Sequence, residues 1–345
     1  MSHHDAADRP PNSSSDESLL GRHLEIDDCD SALGDDDRDA ESAFTSAASR
    51  ATDWRFENGR RYHAYDDGAY NLPNDELEQD RLDLQHTMWR MIHSGALHMS
   101  PVPDTVGAVL DVGCGTGVWT IQFAEEHPNA HVIGTDLSPV QPHFVPPNCE
   151  FLVDNAEREW AFTRRFDFIH ARMLCMGMHD WPRFFQQCWD NLNPGGWLEL
   201  REITFPWGSA DGTAVSDSPL LDWSEKVRLG AAKAGIDTTA CASFEGHLQS
   251  IGFVRIRKET PSWPLGPWPR GSREKKMGAY ALENLESGLH AVSSAVFSRY
   301  LGMSTESIEL SLMEARKDLH DPTKHFYAPL YLYSCQKPKA VDPVV

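Results

Sequence analysis

The sequence predicts an α/β fold, a mostly parallel sheet covered by helices on both faces. Three observations predict it. From residue 106 onward, short apolar runs of strand length alternate with segments of helical period. The run Ala108 to Val112 is apolar almost throughout, as strands buried on both faces of a parallel sheet are. That run passes directly into Gly113-Cys114-Gly115-Thr116-Gly117, where glycine lets the backbone bend sharply and approach a ligand closely.

Taken in order, the chain opens on residues 1–50, which hold 13 Asp or Glu against 4 Arg and few large apolar side chains. Such a stretch cannot bury enough surface to offset its ordering entropy, so a disordered acidic tail is expected, with a partner-binding segment as the alternative. Residues 51–105 form the next unit, an N-terminal lid and helix. Tyr62, Tyr65 and Tyr70 stand among Arg60, Arg61 and His63, a mixture suited equally to a lid or to a surface strap. Asn74 or Asp75 then caps a helix, Glu78 completing a capping box from Asp75, with Leu77, Leu84, Met88 and Met91 on one face and an end near Gly95.

Residues 106–345 are expected to hold the sheet. Strands are predicted at 108–112, 131–137, 149–153, 166–169 and 197–200, with helices at 118–126 and 184–192 and a turn at Pro194-Gly195-Gly196. Two closing strands come next at 253–257 and 325–334, and the intervening residues 211–252 and 271–319 read as helical insertions. The chain has no internal repeat.

Composition limits the function. A 345-residue chain with 40% hydrophobic and 24% charged residues is that of a globular protein of one or two domains. Its net charge of −21 excludes binding nucleic acid by phosphate neutralisation. No apolar run approaches the length needed to cross a bilayer and the amino end lacks a secretory pattern, so a cytoplasmic location is expected. Seven cysteines, at 29, 114, 149, 175, 188, 241 and 335, form no CxxC pair, so reduced thiols and no metal site are expected.

The candidate chemistry lies at the carboxyl ends of the predicted strands, where open parallel sheets bind ligands. Asp136 stands 25 positions after Asp111, near the spacing at which an acid grips ribose hydroxyls. Asp154, beside Asn155 and Ala156, ends the third strand and is placed to accept from an exocyclic amine. Taken singly, each acid is more readily a solvated strand end.

Together, LDVGCGTG, GTDLS, FLVDNAE, FDFIHARML and LNPGGWLEL resemble the ordered motifs of class I S-adenosylmethionine-dependent methyltransferases. The glycines follow GxGxG, and Val118 stands where a nicotinamide-binding GxGxxG places its last glycine. More narrowly, ENGRRYHAY, LPNDELEQDRLDLQH, HARML and HDWP resemble the fungal LaeA-like and TAM-domain methyltransferases, clearly over residues 54–205. The resemblance implies a Rossmann-like seven-stranded sheet and S-adenosylmethionine as cofactor, leaving as S-adenosylhomocysteine. It implies Gly113, Cys114, Gly115 and Gly117 around the methionine part and ribose, Asp111 orienting the turn, and Asp136 on the ribose diol. Leu137 would pack on adenine, Asp154, Asn155 and Ala156 would lie near its amine, His170 would lie near the sulfonium, and Tyr62 and Tyr65 would close over the cofactor.

Methyl transfer from a sulfonium is an in-line displacement that needs alignment in a dry pocket more than a base. For a hydroxyl acceptor, His170 and His179 are the candidate bases and His86 a more distant third; the alternatives are a hydrogen-bonded strand-end histidine and a cap for the helix after Pro182. Arg172 suits either a substrate anion or a neighbouring acid. Trp207, Trp223, Trp263 and Trp268 suit a flat apolar acceptor or the core equally well. A small-molecule acceptor in fungal secondary metabolism is the leading expectation. The alternative, also implied by the resemblance, is a nuclear regulator acting through protein partners.

Overall fold

The computed structural model describes residues 54–66, 70–215 and 217–339. Contacts divide the chain into residues 1–41 and 42–345; every described element belongs to the second unit, and the expected acidic tail lies outside the described residues. The first element is a hairpin of β1 (Arg55–Glu57) and β2 (Arg60–Tyr62), antiparallel through Asn58-Gly59 with both turn residues at positive φ. Asn-Gly is the favoured two-residue hairpin turn. It is the available signal in a segment whose polar composition hides its strands.

Asp75 caps α1 (Glu76–Ile92), accepting from the Glu78 N–H at 3.1 Å and from Arg60 at 2.6 and 2.7 Å. The capping box is only half formed, because the Glu78 carboxylate turns to Arg81 instead. Of the expected apolar face, Met88 is buried and Met91 packs against the core, but Leu77 is 71% exposed, and the buried side also carries Glu78, Arg81, Gln85, His86 and Trp89.

The sheet begins with β3 (Ala108–Val112), followed by α2 (Val118–Glu126), β4 (His131–Asp136), β5 (Cys149–Val153), β6 (Phe166–Arg172), α3 (Trp181–Asn191) and β7 (Leu192–Ile203). After the two-residue β8 (Gly208–Ser209) come α4 (Pro219–Lys233), α5 (Phe244–Ile251), β9 (Val254–Glu259) and β10 (Ser262–Pro264). Two helices, α6 (Ser272–Leu301) and α7 (Thr305–Leu319), precede the last strand, β11 (Phe326–Gln336). In space β5, β4, β3, β6 and β7 are parallel neighbours; β11 runs antiparallel beside β7, and β9 pairs with β11 on its other side. These are the seven expected strands. The sheet has nine because β8 and β10 also pair with β11, and segments of two and three residues are too short to show a strand period.

Helices cover both faces. Leu110, Ile169 and Leu198 pack with Phe184 and Phe185 of α3 and Phe244 of α5, whereas Val109, Val132 and Phe168 pack with Trp119 and Phe123 of α2. A third core joins α1, α4, α6 and α7 to Ile203, Ala328 and Leu330. Arginines fasten α6 to the N-terminal segment at three places. Arg273 donates to the carbonyls of Met91 and Ile92, Arg81 to Asn284 at 3.0 Å, and Arg299 to Glu57 and, at 3.0 Å, to Asn71. Among the described residues no helix is long and apolar enough to cross a membrane.

The link from α1 to β3 is pinned by Glu199 of β7, which is fully buried. It accepts from the N–H groups of Met99 and Ser100 at 2.9 and 2.7 Å, from the Ser100 hydroxyl at 2.7 Å and from Arg201 at 2.8 Å. Burial pushes its carboxyl up, but Arg201 and these donors more than offset this and hold it below its ordinary 4.5. Glu199→Ala strands a buried guanidinium and should lower the unfolding free energy by about 3–5 kcal/mol in urea titrations. A depressed carboxyl contributes stability above its ordinary value, lost as pH falls through the folded value. The melting temperature of the native chain should therefore drop more steeply than that of Glu199→Gln as pH is lowered below about 4.5.

Candidate functional site

The glycine turn after β3 forms the floor of a cleft at the carboxyl ends of β3, β4 and β5. Gly113 and Gly115 line it. Gly113 has φ +69°, which favours glycine, and a Cβ there would stand 2.4 Å from a Leu174 methyl and require that side chain to shift. The turn is held from β4: the N–H groups of Gly113 and Cys114 donate to the Thr135 carbonyl at 2.8 and 2.9 Å. Asp136 accepts from the N–H groups of Gly115 at 2.8 Å and Ser138 at 2.9 Å. Burial pushes its carboxyl up to about 6 despite these donors.

Leu137, Asp154, Asn155 and Ala156 continue the same wall. The Asn155 amide donates to Asp66 at 2.6 Å, and Asp66 also pairs with Arg158 at 3.0 Å, so the N-terminal segment is tied to the rim. Tyr70, Asn74, Glu78 and Leu82 face the glycines from the other side, and Arg172, Met173 and Leu174 close the inner end.

A second cavity abuts the first, sharing Tyr70, Leu82 and Met173 as lining residues. Its remaining wall is largely aromatic and aliphatic, including Phe205, Trp207, Trp223 and Trp263. These side chains also belong to the third core, so they are core residues that line a cavity. Trp268 is the exception. It lines a separate groove beside Tyr327 and donates to the Phe326 carbonyl at 3.0 Å.

Met173 is a non-glycine residue at φ +61°, a conformation costing on the order of 1–3 kcal/mol unless its surroundings enforce it. Its N–H donates to the Arg201 carbonyl at 2.9 Å. The next two, Leu174 and Cys175, donate at 3.1 and 3.0 Å to the fully buried Glu202, whose carboxyl burial pushes up to about 8.

Several expected site residues lie outside both cavities. Asp111, 2% exposed, accepts from Thr120 at 2.6 Å and from His170 Nδ1 at 2.8 Å. His170 is 1% exposed and stacks on Trp119 with ring centroids 3.9 Å apart. Burial lowers its pKa against the pull of Asp111, leaving a neutral ring locked inside the sheet. His179 sits on the outer side, 2.8 Å from Glu157. His86 accepts from Arg172 at 3.2 Å and bonds Gln122 at 3.0 Å, and burial, with Arg172 next, lowers it to about 3. Among the described residues, no histidine lines either cavity.

Gly117 caps α2 against Phe151, where a Cβ would meet the ring at 2.4 Å, and Cys114 is turned toward Gly134. Tyr62 is buried beneath Arg299, 5.6 Å from its ring centroid, and Tyr65 lies under Arg158. Tyr70 is the tyrosine that reaches the cleft. The sequence points less clearly to the α1 wall, although Glu78, Leu82 and Gln85 succeed one another at helical spacing from the Asp75 cap. Their polarity conceals that stripe, and nothing in the sequence signals the left-handed Met173.

A family model described as a methyltransferase domain matches residues 84–251. Methyltransferase pytC of Aspergillus terreus is 35% identical over 301 residues, covering 87% of this chain and 93% of its own. The secondary metabolism regulator laeA of Aspergillus flavus is 33% identical over 287 residues, covering 82% and 77%. Among solved structures, phosphoethanolamine N-methyltransferase 2 of Haemonchus contortus with S-adenosyl-L-methionine aligns at 16% identity and TM-score 0.43 over 75% of this chain and 52% of that one.

The packing of the two histidines predicts unequal costs of removal. His170→Ala empties space beside Trp119 and deprives Asp111 of a donor, and should lower the unfolding free energy by about 2–4 kcal/mol. His179→Ala removes an exposed pair and should cost less than about 1 kcal/mol. Urea unfolding of the two variants checks this; equal losses would contradict the locked placement of His170.

Proposed function

This chain belongs to the family of fungal methyltransferases that includes methyltransferase pytC and the laeA regulators, and from that membership we propose how its two cavities divide the reaction. It is an S-adenosylmethionine-dependent methyltransferase. In our reading the glycine-floored cleft takes the donor and the aromatic cavity takes a small-molecule acceptor of secondary metabolism. The observation that carries this is their shared wall at Tyr70, Leu82 and Met173.

The residues present fit the donor. Gly113 and Gly115 line the cleft without side chains, and Asp136, already organised by two backbone donors, offers its remaining lone pairs to a vicinal diol. Leu137 would cover the adenine, and Asp154 and Asn155, on the same wall, would lie near its amine. Asp111, Cys114, Gly117 and His170 act one layer back by fixing the turn. Tyr65 is assigned to the outer rim and Tyr62 to holding Arg299, so Tyr70 takes the role of the closing aromatic ring.

Bound S-adenosylmethionine supplies an electrophilic methyl group on a sulfonium. Tyr70 and Met173 stand where the acceptor would approach it, excluding water and setting the line of attack. An aromatic face against a sulfonium is worth about 0.5–2 kcal/mol. With His170, His86 and His179 outside both cavities, our reading assigns none of them as base; alignment carries the rate. The laeA resemblance leaves a regulatory role as the competing reading, and the enclosed aromatic cavity favours an acceptor small enough to enter it.

Incubation with methyl-labelled S-adenosylmethionine and a fungal metabolite extract should label organic-soluble products, whereas label confined to protein would overturn the small-molecule reading. Gly115→Arg, placed at φ +58° and facing Leu82, should abolish donor binding in calorimetry while the circular dichroism spectrum is retained. Because Asp136 titrates at about 6, donor affinity should be constant above that pH. Below it, affinity should fall by up to about tenfold per pH unit as the acceptor for the diol is protonated. Asp136→Asn should flatten the profile.

A further inference from the structure

We propose that the aromatic cavity selects an uncharged, ring-bearing acceptor and orients it by a hydrogen bond to the Gln85 carboxamide. This rests on the reading of that cavity as the acceptor site.

Gln85 is 5% exposed and lines the cavity, yet its side chain makes no hydrogen bond among the described residues. A carboxamide both donates and accepts, and with no partner among the described residues it is available to a polar atom of a molecule in the cavity. The buried indole N–H groups of Trp207 and Trp263, also on the cavity wall, lack a partner among the described residues as well, so the lining offers further donors beside Gln85. It stands one helical turn beyond Arg81 and Leu82, on the face of α1 that also borders the donor cleft through Glu78 and Leu82.

The charge of the acceptor is dictated by the lining. Arg81 is the cavity's ionised group among the described residues, and it is cancelled. Its Nε and Nη2 donate to Glu78 at 2.9 and 2.6 Å, and Nη1 donates to Asn284 at 3.0 Å. Burial raises the pKa of the Tyr70 phenol and of the Cys175 thiol, so both stay neutral. An anion or cation entering this space would leave its hydration shell and meet no free counter-charge, and the stabilisation that a ring face returns to a cation is smaller than the cost of desolvating it.

The rings dictate its shape. Phe205 and Trp207 stack at 5.1 Å with an interplanar angle of 21°, Trp207 meets Trp223 at 5.2 Å, and Trp263 meets Trp89 at 4.6 Å. Such walls suit a fused or aromatic ring system, with one carbonyl or hydroxyl directed at Gln85 and the methyl-accepting atom at the Tyr70–Met173 boundary.

The test uses the full chain loaded with S-adenosylhomocysteine and three probes sharing one ring system: 2-naphthol, 2-naphthoate and 2-naphthylmethylammonium, titrated at neutral pH and read by quenching of tryptophan fluorescence. The neutral naphthol should bind at least tenfold more tightly than either ion. Gln85→Leu should weaken it at least threefold with S-adenosylhomocysteine affinity unchanged. Gln85→Glu should shift preference toward the ammonium probe. Equal binding of an ion, an unaltered naphthol affinity in Gln85→Leu, or no binding of any probe would overturn the proposal. If either variant fails to bind S-adenosylhomocysteine and so reports misfolding, the charge preference of the native chain decides. Failure of the native chain itself to bind S-adenosylhomocysteine would overturn the donor reading instead, a separate result.

Discussion

A carboxylate buried in the middle of the sheet governs this molecule. Asp111 sits one residue from the end of β3 and is almost wholly removed from water, so its lone pairs must be met from within the protein. Thr120 of α2 and His170 of β6 meet them. That requirement fixes the helix after the glycine turn and the strand beside it relative to β3. The geometry of the turn results from the anchoring of both its ends. His170 is thereby explained as a donor with a defined tautomer, clamped by Trp119 from its other face. A histidine at a strand end suggests proton transfer, but its surroundings give it a positional role.

Buried acids recur twice, there with backbone donors: Glu199 fastens the approach to β3, and Glu202 holds the Leu174–Cys175 turn that presents Met173. In all three cases a polar group in the core fixes the segments bonded to it, and the apolar packing around it supplies the stability that tolerates the burial. The left-handed Met173 is the visible strain in this arrangement, located where the two cavities share a wall.

Much of this is legible in the sequence, for identifiable reasons. Strands buried on both faces appear as unbroken apolar runs, and β3, β4 and β6 are legible because parallel sheets demand them. Glycines 113 and 115 and Asp136 are legible because a tight turn and a strand-end acid leave few residue choices. The α1 wall is obscured by an inward face carrying Glu78, Arg81 and Gln85, the reverse of an amphipathic helix, and apolar spacing therefore points to the exposed Leu77. Distances across the fold are beyond its reach as well. Trp268 and Trp263 are five residues apart yet face different spaces, and Tyr70 rather than Tyr62 enters the cleft.

The three arginine attachments between α6 and the N-terminal segment bear on timing. A helix of 30 residues extends about 45 Å, and its first turn, middle and last turn are each bonded to the segment that roofs the aromatic cavity. Releasing one attachment leaves two in place, so the roof cannot hinge from a single end. If this cavity takes the acceptor, opening it from this side requires α1 and α6 to part along their whole length rather than at one end.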